Sequence, residues 1–133
     1  MLELLLTVAL ASPVPAPPPT GPKAMAPSLT STTDGAWLTW LQPTKDAGVL
    51  ELRAAFRGHG RETPWTTPVT ITRRGDFFAN WADVPVVVRG DEAWTATWLQ
   101  KSGSGTYAYD IAIARSLDGS TWTHLGTLND DRT

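Results

Sequence analysis

Five residues of one segment return in the same order further along the chain. Pro27, Thr39, Trp40, Leu41 and Gln42 recur as Pro85, Thr97, Trp98, Leu99 and Gln100, each displaced by 58 positions (from 27 to 85, from 40 to 98) with no gap between them. A second stretch keeps the apolar alternation at an offset of 57: Leu52, Ala54, Phe56 and Trp65 fall on Tyr109, Ile111, Ile113 and Trp122. Such a repeat means that one supersecondary unit is used twice and that each copy buries its apolar face against the next. Trp37 and Trp94 do not obey the strict register. At an offset of 58, Trp37 meets Thr95, so the two indoles are expected to face opposite ways in their strands unless a bulge intervenes.

The repeated unit is made of strands. "WLTWLQ", "VLELRAAF", "PVVV", "WTATWLQ" and "YAYDIAIA" are short alternating runs separated by Gly, Asp and Pro, and no stretch carries a helical period. In the last of them Tyr109, Ile111 and Ile113 share one face, with Asp110, Ala112 and Ala114 on the other. A unit of this size with about four strands matches one blade of a β-propeller. The expectation is an all-β, antiparallel chain with two blades, residues 24–76 and 77–133. Most of the seven tryptophans then belong to blade packing.

Composition narrows the function classes. The 11 basic residues are scattered and the formal net charge is -2, which leaves no electrostatic footprint for nucleic acid or an anionic membrane. The absence of Cys excludes disulfides, thiolate metal sites and cysteine nucleophiles, and His59 and His124 are too few for a zinc site, so neither metal nor cofactor is expected. "KSGSGT", Lys101 to Thr106, has its Lys first and joins two strands, so it is a hairpin loop and no phosphate loop. "RGHGRE" sets His59 among Arg57, Arg61 and Glu62 in a long turn without a second ligand pair.

Residues 1–11 carry an apolar run from Leu4 ending in Ala9-Leu10-Ala11, a small-x-small pattern like a cleavage site, although Glu3 stands where a basic residue is usual. This predicts export, to a secreted or periplasmic location. The run is too short to span a bilayer, which takes about 20 apolar residues. Residues 12–23, "SPVPAPPPTGPK", are a Pro-rich linker expected to be extended and to pack against little.

"SLDGSTW" supplies the family signal. Ser116, Asp118, Gly119, Thr121 and Trp122 resemble the Asp box of the sialidase superfamily, also called the bacterial neuraminidase repeat, with one residue fewer than usual between Asp and Thr. The chemistry is that of a turn: Asp accepts backbone amides, Gly allows positive φ, and Trp anchors the hairpin. At the matching point of the first repeat (His59, Arg61, Glu62, Pro64, Trp65) only the Trp survives. "NWADVP" and "KSGSGTYAYD" add to a similarity with exo-alpha-sialidase-like proteins that covers residues 24–133.

The resemblance implies a six-bladed propeller, of which this chain would be the N-terminal third, its partner being the rest of the propeller. It also implies a glycan or sialoside ligand and an Asp box on the face away from it. A sialidase needs an arginine cluster for the substrate carboxylate, an acid carboxyl, and a Tyr paired with Glu. The family's first arginine, in an Arg-Ile-Pro motif, corresponds here to Met25 in Met25-Ala26-Pro27. Asp46 lies near the place of the family's acid, and Asp83 precedes the Pro of the second repeat; these are the candidate catalytic residues. Asn80, Trp81, Lys101, Tyr107 and Tyr109 are candidate sugar-binding residues. Two functions stay open, a glycoside hydrolase of the exo-sialidase type and a non-catalytic Asp-box propeller that binds glycan or protein.

Overall fold

The computed structural model describes residues 16–129; the expected export signal lies outside them. Four strands, β1 (Met25–Thr32), β2 (Gly35–Pro43), β3 (Leu50–Gly58) and β4 (Val69–Arg74), form an antiparallel meander in the order β1-β2-β3-β4. A second meander follows with β5 (Val86–Arg89), β6 (Trp94–Lys101), β7 (Tyr109–Ser116) and β8 (Thr123–Thr127), in the order β5-β6-β7-β8. Among the described residues there is no helix, and neither sheet closes on itself. Gly35, at φ +156°, lets the start of β2 lie close against the end of β3, since a β-carbon there would collide with the carbonyl oxygen of Arg57.

The strand registers establish the repeat and correct part of it. β2 maps onto β6 at 58 residues, as the sequence indicates. Leu41 pairs with Leu52 and Leu99 pairs with Ile111, so β3 maps onto β7 at 59 (from 52 to 111) and not 57. The second hairpin therefore carries one extra residue where one fewer is expected. Leu52 matches Ile111 and Ala54 matches Ile113, a slip of two that preserves which face each residue occupies. The offset of 57 returns only in the last strand, where Val69 opposite Ala54 corresponds to Gly126 opposite Ile113.

The sheets stack face to face. The front of sheet one, with Trp37, Leu41, Leu52 and Ala54, packs against the back of sheet two, with Val87, Ala96, Trp98, Ala112 and Ala114, in one core cluster. Thr39 sits on the same front and donates its hydroxyl to the carbonyl of Pro85 at 2.9 Å, a buried tie between the sheets. Trp37 on a front and Trp94 on a back do face opposite ways in their own sheets. That is why they meet, with ring centroids 6.2 Å apart and planes at 72°.

The alternation in β7 is as expected, but it is the small Ala112 and Ala114 that are buried, while Ile111 on the other face is 40% exposed. Of the Pro-rich segment, expected to pack against little, residues 16–22 lie on the back of sheet one. Gln42 accepts from the Gly21 amide (2.9 Å) and the Trp40 indole (3.2 Å) and donates to the Pro22 carbonyl (2.9 Å), while Ala16, Pro17 and Pro19 share a hollow with Trp65.

Candidate functional site

Meander topology divides the connections between two ends. The β2–β3 loop (44–49), the link from β4 to β5 (75–85) and the β6–β7 loop (102–108) lie at one end; the remaining turns lie at the other. Every candidate catalytic and sugar-binding residue falls at the first, the linker end. There the link is pinned early: Arg74 grips Asp76 through two bonds of 2.7 and 2.8 Å, and the Asp76 carbonyl accepts from the Lys101 amide at 2.7 Å. The guanidinium bond holds the Asp76 carboxyl below its ordinary range and raises Arg74. Phe77 is buried beneath, packed on Trp98.

Past this anchor the link turns on Asn80. Its Oδ1 accepts the amides of Ala82 and Asp83, both at 2.7 Å, and its Nδ2 donates to Asp83 at 2.8 Å. This Asx turn leaves Trp81 at the tip, 92% exposed. In the neighbouring loop, Ser102 and Ala108 close the base through an amide-to-carbonyl bond of 3.0 Å, and Tyr107 stands 83% exposed. Tyr109 is different: its ring stacks on Phe78 with centroids 4.6 Å apart, so one face is already covered. Asp46 forms an ion pair with Arg73. Both candidate carboxylates thus already have side-chain partners, and the two fully presented aromatic faces belong to Trp81 and Tyr107.

The opposite end holds the Ser116–Trp122 turn. Asp118 Oδ1 accepts from the amides of Thr121 (2.7 Å) and Ser120 (2.8 Å) and from the Ser116 hydroxyl (3.0 Å), and Ser116 in turn accepts the Gly119 amide at 2.8 Å. Those donors, the Thr121 amide first, lower the Asp118 carboxyl to about 2. Its Oδ1 is thus engaged three times within the turn. Beside it, between the sheets, is a cavity of about 290 Å³ walled by Trp37, Phe56 and Trp94, with Arg89 and Asp34 at its lining. The Arg89 guanidinium lies 4.0 Å from the Trp94 ring centre.

Sequence reasoning did not single out this cavity or the Arg74–Asp76 clamp. The one-residue mismatch between Trp37 and Trp94 was the available signal for the first; the charge alternation in "RRGD" was the signal for the second. No family model, no curated protein and no solved structure matches the chain.

Proposed function

We propose that the two sheets are adjacent blades of an Asp-box β-propeller of the sialidase superfamily, and that the linker end binds the terminal sugars of glycans without hydrolysing them. The propeller reading is supported by two meanders of the same strand order stacked front to back and by the carboxylate-centred Ser116–Trp122 turn between third and fourth strands. The observation that carries the binding reading is the pair of presented aromatics, Trp81 and Tyr107, on two loops of one end. Large apolar rings held out on braced loops suit the CH faces of a sugar, with the Asn80 side chain spent on bracing its own loop, and the exposed Lys101 at the same end suits an acidic substituent.

Hydrolysis is the second reading, favoured by the presence of Asp46 and Asp83 at that same end. Against it stand the commitment of Asp46 to Arg73 and of Asp83 to Asn80, and Met25 where a carboxylate-gripping arginine belongs.

The test is a titration of the chain with sialyllactose and with lactose, followed by tryptophan fluorescence and by release of free sugar. Saturable binding that disappears in Trp81→Ala, with unchanged thermal unfolding and no sugar released, is the expected result. Absence of binding to either saccharide overturns the glycan reading. Turnover that Asp46→Asn or Asp83→Asn removes establishes the hydrolase instead.

A further inference from the structure

Within the chain, one front and one back are mated; the other front is open, while the other back is covered over Trp40 and Ala55, both fully buried, and open at Leu29. On the back of sheet two, Val87 is fully buried by sheet one; its register equivalent on the back of sheet one, Leu29, is 64% exposed. On the front of sheet one Leu52 and Ala54 are fully buried, whereas their equivalents on the front of sheet two, Ile111 and Ile113, are exposed and half-buried. Val88, on that same front, is also exposed. The polar tie is duplicated as well. Thr39 and Pro85 bond across the internal junction, and the repeat places Thr97 on the free front and Pro27 at the start of the strand beside the free back. The Thr97 hydroxyl makes no side-chain hydrogen bond among the described residues.

We propose that the front of sheet two and the back of sheet one are the two halves of a head-to-tail interface between copies of this chain, with residues 16–22 a strap that holds the second half partly closed. The occupant follows from the interface already present: the same kinds of face pack inside the chain with the same Thr and Pro at the junction, so the unmated front fits the unmated back of another copy. An interface of this kind is heterologous, and its repetition yields a closed ring or an open chain of copies.

The strap sits where the preceding sheet would sit. Trp122 packs into the core between the sheets, while its counterpart Trp65 shares its hollow with Ala16, Pro17 and Pro19. The strap is held through Gln42 and leaves Leu29 uncovered, so an incoming front has a place to begin and two side-chain hydrogen bonds from Gln42 to the strap to displace. Nothing in this inference depends on what the linker end binds.

Sedimentation velocity of the full chain tests it, with Gln42→Ala to loosen the strap. The variant is expected to associate more tightly than the parent chain, on the order of tenfold. Adding Ile111→Asp blocks the front and adding Leu29→Asp blocks the back, and each alone returns the Gln42→Ala chain to monomer. Mixing the two blocked chains restores pairing, because each retains the half the other has lost, and the pairs stop at heterodimers. Near-ultraviolet circular dichroism confirms that each variant is folded, and Val88→Asp replaces Ile111→Asp if the latter is not. A folded Gln42→Ala chain that remains monomeric overturns the proposal, as does association that survives both charges or a mixture that stays monomeric.

Discussion

The turns that lead into β4 and β8 occupy the same place in the two sheets and are held together by opposite charges. In the second, the Asp118 carboxylate collects backbone N–H groups from Ser120 and Thr121. In the first, the Arg57 guanidinium collects backbone carbonyls instead, from Thr63 at 2.6 Å and Arg61 at 3.0 Å, with Thr63 donating to the His59 carbonyl. A loop of either design satisfies polar backbone groups that would otherwise lack partners. The difference lies in what surrounds each. The second turn seats Gly119 against Trp37 of the other sheet, so it must be compact and take a positive φ, +75°. The first adjoins the Pro-rich segment and has room for two more residues. The recognisable motif therefore survives where a sheet packs against it, and a substitute serves where only a strap does.

Removing the platform is the most severe way to break this asymmetry. Trp37→Ala deletes the indole that touches Phe56, Trp94 and the Gly119 turn, and is expected to cost about 3–5 kcal/mol in denaturant unfolding; Trp65→Ala, on the strap side, costs less. Gly119→Ala forces a side chain into the left-handed region with its β-carbon 3.4 Å from Trp37, an expected loss of about 1–2 kcal/mol in the same measurement. Gly58→Ala, at the end of β3 where the first turn begins, has its nearest neighbour 3.7 Å away and is expected to lose less. Arg57→Gln removes the cationic donor of the first turn, an expected loss of about 1 kcal/mol in the same measurement.

The smallest effect sharpens the comparison most. Because Asp118 titrates at about 2 when folded, below its ordinary 3.8, its contribution to stability is complete above ~4 and is lost as the pH falls towards ~2. Denaturant midpoints of the parent chain should fall more steeply over that window than those of Asp118→Asn. Parallel curves would mean that the carboxylate does not support the turn.

Legibility in the sequence followed the range of the interaction. The alternation in β7 names the residues that share a face, because parity is set by the backbone of one strand. It does not say which face is covered, and apolarity points the wrong way: the larger Ile111 is exposed and Ala112 is buried, since sheet one approaches closely on the alanine side. The linker-end residues were legible as turn formers and aromatics, yet Tyr109 and Trp81 look alike in sequence. Stacking on Phe78 occupies one of them, and the Asx turn at Asn80 presents the other. The 57-residue offset shows a further limit, since matching Trp65 to Trp122 across two loops concealed an insertion in one and a deletion in the other.

By itself the sequence determined the strand class, the twofold use of one meander, the residues common to each face, and a carboxylate turn at Asp118, all of which follow from local backbone geometry and short-range hydrogen bonds. Only the tertiary structure decided that Trp37 meets Trp94, that residues 16–22 lie over the back of sheet one, and that the front of sheet two remains open. Those outcomes depend on which surface excludes water from which, and that is settled by segments far apart in the chain.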